Sequence, residues 1–435
     1  MWLNESVFYQ IYPLGLLDAP KANDSIYVPR ILDLVKWIPY FKNLGVETIL
    51  LNPIFEADTH GYDTKDFHTL DKRLGNNEDF KKVSQAFHDA GLRIVLDAVF
   101  NHVGRNFPPF LDVLEKKGDS PYQDWFYLDY NRNSNYNDGF WYEGWEGHFE
   151  LVKLNLKNQK LKDYLLACVD FWYQEFNIDG LRLDVAYSLD HDFIKELRKR
   201  VASYSNDFVL IGEVLFGDYN RLVNQEMLHS CTNYECYKGI YSSLNSLNMF
   251  EIAYSLNRQF SPEEWTLYKD KPLLSFVDNH DVSRIASLLT NEYHLPLAFA
   301  LLFTMPGVPC LYYGSEWGER GKKEEGDQAL RKAFKKPTPN ALTNFIKQLI
   351  KIRTQEKALC FGDYTNLVTQ NQAFMFRRSF KGEVILVLLN IDAEPFTFYH
   401  EELNGTVQLL LEHKEENLRG NFQVMPYSLT LLKKS

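Results

Sequence analysis

Short apolar runs alternate with longer stretches of helical period through the first 360 residues. Residues 7–12 read as a strand. Ile31, Leu34, Val35, Ile38 and Phe41 then recur at helical spacing before Gly45. The alternation continues with a strand at 47–53, a helix carrying Phe80, Val83, Phe87 and Ala90 on one face, a strand at 92–97, a helix through Leu161, Leu165, Val169 and Trp172, and a strand at 180–184. Further strands are predicted at 208–214, 232–236, 273–277 and 308–313, which makes eight. Eight buried strands separated by helices is the arithmetic of a (β/α)8 barrel, and an open doubly wound sheet shares much of it.

Two regions depart from the alternation. Residues 103–158 are rich in Asn, Gly and aromatics, and a structureless loop of that length does not suit a compact domain, so an inserted subdomain is expected there. From about 358 the pattern turns strand-like at 373–378, 383–390, 407–411 and 427–432, which predicts a C-terminal antiparallel β domain. The expected layout is α/β: a (β/α)8 TIM barrel from 1–102 and 159–357, a subdomain at 103–158 inserted after the third strand, and a β domain at 358–435. Residues 295–315 carry no charge and are as long as a membrane span, but Pro306, Gly307 and Pro309 interrupt them. A buried helix, a turn and a buried strand are expected instead.

Composition narrows the function. With 47 Lys+Arg against 58 Asp+Glu the formal charge is −11, and no basic face for nucleic acid is visible. The 8 Trp, 26 Tyr and 31 Phe suit a core, an interface, or a site that stacks flat ligands or sugar faces. Five cysteines without a C-x-x-C pair argue against a disulfide framework and a structural zinc. The opening M-W-L-N-E-S-V-F-Y-Q has no basic stretch followed by an apolar one, and a cytoplasmic protein with no membrane partner is expected.

In a parallel barrel the active site lies at the C-terminal ends of the strands. Here run after run ends in an acid or a histidine: Asp97, Asn101 and His102; Arg182 and Asp184; Glu213; Asp278, His280 and Asp281. A single such acid has an ordinary explanation as an N-cap. Four strands ending this way point to chemistry, because buried carboxylates are costly to desolvate. Convergent carboxylates with aromatics and no nucleotide loop suit glycoside hydrolysis, and divalent-metal chemistry in an enolase-like barrel is the alternative use.

The segments D-A-V-F-N-H (97–102), G-L-R-L-D-V-A (180–186), G-E-V (212–214) and F-V-D-N-H-D (276–281) resemble, in order, the four signature regions of the α-amylase family of glycoside hydrolases. L-N-P-I-F (51–55), H-G-Y-D-T-K-D-F (60–67) and L-Y-Y-G-S-E-W-G (311–318) match as well. The resemblance implies a retaining hydrolase of α-1,4-glucosidic bonds in maltodextrins, with a 4-α-glucanotransferase or an α-glucosidase using the same residues as the near alternative. A non-catalytic sugar-binding barrel is the alternative from another class.

Carried over residue by residue, the resemblance makes Asp184 the nucleophile, Arg182 its charge partner and Glu213 the general acid/base, with a pKa well above that of Asp184. Asp281 would grip sugar hydroxyls, His102 and His280 would donate to the same sugar, and Tyr62 would stack on it with His60 alongside. Asp97 would act through Arg182, and Asp327 with Arg331 resembles a pair that binds the next sugar. Asn101 matches a calcium position of many secreted relatives, but 103–158 shows no carboxylate-rich loop to complete the ion's about six to eight oxygens. No cofactor is expected, and calcium is expected to be dispensable. L-V-K-L-N (151–155) is similar to the M-P-K-L-N of cyclomaltodextrinases, neopullulanases and maltogenic amylases. Those enzymes usually add an N-terminal β domain that builds a dimer, so the oligomeric state stays open.

Overall fold

The protein was analysed as a computed structural model that describes residues 2–434. Eight parallel strands follow one another: β1 (Phe8–Ile11), β2 (Thr48–Leu51), β3 (Arg93–Ala98), β4 (Gly180–Leu183), β5 (Val209–Gly212), β6 (Ser230–Cys231), β7 (Leu274–Ser275) and β8 (Val308–Tyr312). Their order in the sheet is β6-β5-β4-β3-β2-β1-β8-β7, and a parallel bridge between Thr232 and Leu274 joins the two ends. The sheet therefore closes as a barrel, not an open doubly wound sheet. Both faces of these strands are covered, which is why they read as unbroken apolar runs instead of alternating ones.

Two predicted elements shift. Strand 232–236 is observed two residues earlier, because the Asn233 side chain accepts from the Cys236 N–H and caps the helix Tyr234–Ser246. The helical run after β1 is split into a 3-10 segment Arg30–Trp37 and a helix Ile38–Leu44, with Pro39 at the start of the second. Residues 295–315 form the buried helix Leu295–Thr304, a turn at Gly307 (φ +109°) and β8. No helix among the described residues is long and apolar enough to cross a membrane.

The segment 103–158 has structure of its own. A helix Pro108–Lys116 packs beside a small sheet in which His102–Gly104 pairs with His148–Lys153, and that strand pairs in turn with Gly144–Trp145. The C-terminal sheet has six strands where four were expected: β9 (Asp363–Thr369), β10 (Ala373–Phe380), β11 (Glu383–Asn390), β12 (Phe396–Leu409), β13 (Lys414–Val424) and β14 (Ser428–Lys434). The two missed strands mix polar and apolar positions, half-buried in Asp363–Thr369 and mostly exposed in Lys414–Val424, and so lack an apolar run. A last short helix, Lys357–Phe361, leads into them.

One face of this sheet, with Tyr364, Phe374, Phe376, Val387 and Leu431, joins the barrel's own apolar core. Two arginines stand at the seam, and one of them, Arg378, crosses it. Arg353 donates to the carbonyls of Phe303 (3.1 Å) and Gly307 (2.5 Å), and Arg378 of β10 donates to those of Thr304 (2.7 Å) and Gly362 (2.9 Å). Both are buried and neither meets a carboxylate among the described residues. Burial pushes the Arg378 guanidinium down to about 9. They serve the unpaired carbonyls at the end of helix Leu295–Thr304, where the helix dipole favours positive charge.

Candidate active site

The carboxylates converge where the strands end. The register of β3 on β4 sets Asp97 beside Arg182, and β5 beside β4 brings Glu213 next to Asp184. Arg182 Nη1 donates to Asp97 Oδ1 (2.7 Å) and Oδ2 (2.9 Å) and to Asp184 Oδ1 (2.9 Å), while its Nη2 lies 2.9 Å from Glu213 Oε1. One buried guanidinium thus holds three carboxylates. Burial alone would lower its pKa, but Asp97 and Glu213 together hold it well above the usual arginine value.

Burial also pushes the Asp184 and Glu213 carboxyls up. Arg182 draws each back, and the charge on Glu213 raises Asp184 again. Glu213 was expected to stand well above Asp184; burial raises both carboxyls. Two neighbouring carboxyls so placed retain a proton between them at a pH where exposed ones have lost theirs. Val185, directly after Asp184, has φ +39° and ψ +47°, a left-handed conformation that a β-branched residue adopts only under constraint. That turn aims its N–H at Glu213 Oε2, 3.0 Å away.

A polar web anchors the floor. The Tyr62 hydroxyl donates to Asp97 Oδ2 (2.8 Å) and accepts from Asn52 Nδ2 (3.1 Å), and Asn52 also donates to Asp97 Oδ2 (3.0 Å). The Tyr62 ring lies parallel to His280, with centroids 5.6 Å apart. His280 Nδ1 is 3.0 Å from Gln10 Nε2, and its Nε2 is 2.5 Å from the Tyr62 hydroxyl and 2.9 Å from Asp281 Oδ2. Asp281 is drawn well below the ordinary carboxylate range: burial pushes it up, but His280 and Arg331 outweigh that. Arg331 Nη2 is 2.9 Å from Asp281 Oδ1 and 3.2 Å from Asp327 Oδ2.

His102 differs from its neighbours. Burial, and then His60, push its pKa down to about 3, so the ring is neutral. The Asn101 amide donates to Nδ1 (3.2 Å), which puts the ring hydrogen on Nε2, a buried atom without a partner. A buried donor left unpaired costs about 1–3 kcal/mol. A sugar hydroxyl would satisfy it.

These groups open on a cavity of 590 Å³. Tyr62, His60, His102, Asp184, Glu213, Asp281, Asp327 and Arg331 line it. His280, also expected to contact sugar, and Arg182, the charge partner of Asp184, are not part of that lining. The wall includes residues that sequence reasoning did not single out: Trp145, His148 and Glu150 from the inserted segment, and Tyr187, Leu215 and Tyr234 on the Glu213 side. Trp145 stands over His102 (5.7 Å between centroids) with its indole Nε1 buried and unpaired. Its signal was present in G-F-W-Y-E-G-W, though nothing there tied that run to the site.

Asn101 turns its Nδ2 to His102 Nδ1, which leaves its Oδ1 as the atom a cation would use, and among the described residues no three His, Cys, Asp or Glu side chains converge as metal ligands. Treatment with EDTA is therefore expected to leave both turnover and melting temperature unchanged; inactivation reversed by Ca²⁺ would overturn this.

A family model described as the catalytic domain of alpha amylase matches residues 31–344. The cyclomaltodextrinase of Thermoanaerobacter pseudethanolicus is 29% identical over 99% of this chain and 78% of its own length. The maltogenic alpha-amylase of Bacillus acidopullulyticus is 30% identical over 89% and 70%, and the intracellular maltogenic amylase of Bacillus subtilis 29% over 89% and 69%. Among solved structures, a cyclomaltodextrinase superposes with a TM-score of 0.88 at 25% identity, over 100% of this chain and 78% of that one. The cyclic alpha-maltosyl-(1→6)-maltose hydrolase of Arthrobacter globiformis does so at 0.84 and 25%, over the whole of both chains.

Proposed function

Since the chain belongs to the α-amylase family of glycoside hydrolases and acts on α-glucans, we propose that it cleaves α-1,4-glucosidic bonds in maltodextrins by double displacement on Asp184. The observation that carries this reading is the single Arg182 fork on both Asp184 and Glu213. Two carboxylates bridged by one guanidinium suit the about 5–5.5 Å separation of a retaining pair better than the about 6.5–9.5 Å of an inverting one.

Glu213 delivers the shared proton to the glycosidic oxygen as the bond to the anomeric carbon breaks, and Asp184, now ionised beside Arg182, attacks that carbon. Glu213, having lost its proton, then takes one from the incoming water, which displaces Asp184. Asp281 accepts from sugar hydroxyls with the charge that Arg331 and His280 sustain. The unpaired His102 Nε2–H donates to the same ring. Asp97 and Tyr62 position Arg182 and the floor of the site, and His280 positions Asp281. The cytoplasm is the compartment that the intracellular Bacillus subtilis relative supports.

Two inversions leave the configuration unchanged. The first-formed product from an α-linked maltodextrin is expected to be the α-anomer, read by NMR before mutarotation. A β-anomer appearing first would make Asp184 a general base and remove the covalent step. Transfer is favoured by a separate observation: Leu215 and Tyr187 wall the leaving-group side, and Phe216, 68% exposed, lies 5.2 Å from Tyr187. An acceptor sugar resting on this surface competes with water for the intermediate.

A further inference from the structure

A separate cavity of 170 Å³ lies at the other end of the barrel and shares no lining residue with the catalytic one. Pro272 and Gly307 in its wall stand just before β7 and β8, while Asp363 of β9 and Arg378 of β10 reach it from the C-terminal sheet. It therefore sits at the N-terminal ends of the strands, the face that a barrel does not use for its chemistry. Its volume falls short of the about 300–1,000 Å³ of sites for small organic ligands, so a run of glucose units does not fit. A tetrahedral ion with a water beside it does.

What surrounds this space is a set of donors without acceptors. A buried charge is costly unless it is paired, and the seam breaks that rule twice. Arg353 and Arg378 are both buried, and no carboxylate stands at ion-pair distance from either among the described residues. After burial itself, it is the charge of Arg353 that pushes Arg378 down. The Thr304 and Gly362 carbonyls take Nη1 and Nη2 of Arg378, but its Nε–H is buried with no acceptor. Tyr364, in the same wall, has a buried hydroxyl with no partner, near enough to feel the Arg378 charge. From the barrel side, Lys269 brings an exposed ammonium that pairs with nothing among the described residues. Lys271 spends one N–H on the Val223 carbonyl (2.6 Å) and keeps the others. The acids of the lining, Asp270 and Asp363, are exposed, and neither forms an ion pair with these cations.

We propose that this cavity binds a phosphate group, held between Arg378 and Tyr364 of the sheet and Lys269 and Lys271 of the loop before β7. A phosphate group carries close to two negative charges and accepts in several directions, so one ion meets donors that arrive from both sides of the seam. It would offset the two uncompensated guanidiniums and tie the sheet to the barrel. Because the site stands apart from Asp184 and Glu213, its effect falls on stability and leaves turnover alone.

The test titrates the full chain with inorganic phosphate by calorimetry, with chloride holding the ionic strength constant. One site per chain with a Kd of about 1 mM or tighter is expected, and saturating phosphate should raise the melting temperature by about 1–3 °C over matched chloride. The kcat on a maltodextrin should not change. Lys269→Glu turns an exposed rim cation into an acid and should weaken phosphate binding about tenfold or more, with little effect on the melting temperature in chloride. Arg378→Gln should abolish binding, and Lys269→Glu decides the matter if that variant does not fold. Glycerol 3-phosphate, titrated alongside, separates the sources: tighter binding than inorganic phosphate assigns the site to a phosphate ester, weaker binding to the free ion. Absence of binding, an equal rise in melting temperature with chloride, or an affinity unchanged in Lys269→Glu would overturn the proposal. So would competitive inhibition of turnover, which would place the ion in the catalytic cavity.

Discussion

Asp184→Asn is expected to lower kcat by about 10⁴-fold and at the same time to raise the melting temperature at neutral pH. The loss follows from chemistry: an amide of the same shape cannot attack the anomeric carbon or hold a glycosyl group. The gain follows from burial. The Asp184 carboxyl stands above its ordinary value because desolvation disfavours its charged form. A carboxyl whose pKa is raised by folding weakens the fold as pH climbs through that raised value and costs nothing below the unfolded value of about 3.9. The melting-temperature advantage of Asn should therefore be small near pH 4 and grow toward neutrality. Steady-state kinetics on a maltodextrin and calorimetry at several pH values read the two effects separately. A variant that keeps about a tenth of wild-type kcat, or that melts below wild type at pH 7, would take Asp184 out of the role assigned to it.

Arg182→Leu should show the opposite pairing, with activity lost and the fold weakened by about 3–5 kcal/mol at neutral pH. Leucine fills much of the space but leaves Asp97, Asp184 and Glu213 facing one another with no positive charge between them. Asp97 would keep only the hydroxyl of Tyr62 and the amide of Asn52. Lysine in the same place should rescue little, because one ammonium cannot fork to three carboxylates. The destabilisation should shrink as pH falls and the orphaned carboxyls take up protons, which urea denaturation at pH 7 and pH 4.5 would show. Equal stability of Arg182→Leu and wild type at neutral pH would mean that the guanidinium does not hold the cluster together.

Much of this site was legible before any coordinate. Asp97, Arg182, Asp184, Glu213 and Asp281 stand at the ends of apolar runs, and the geometry of a parallel barrel gathers such ends into one mouth whatever the helices between them do. The buried floor was less legible. Asn52 and Gln10 are ordinary polar residues in sequence, and only the closure of β1, β2 and β3 into adjacent strands brings them onto Asp97 and His280. Trp145 reaches the site through a hairpin of the inserted segment, and no periodicity reports where a hairpin leans. The left-handed Val185 could not have been read at all, because valine is the last residue that local preference would put there. The sixth strand was misplaced for a plainer reason: T-N-Y-E-C has the composition of a strand, and the capping bond of Asn233 overrides it.

The arginines at the seam bear on how this chain can be rearranged. Arg378 is carried by the C-terminal sheet, yet the carbonyl that its Nη1 serves belongs to a barrel helix, while Arg353 lies on the barrel side of the same joint. A sheet borrowed from a relative would arrive without the matching guanidinium unless that position came with it, and a barrel expressed alone would leave the Thr304 carbonyl without the donor that Arg378 supplies. The sheet is therefore a shared component of two inheritances: it can be exchanged between relatives only together with the helix Leu295–Thr304 that it completes.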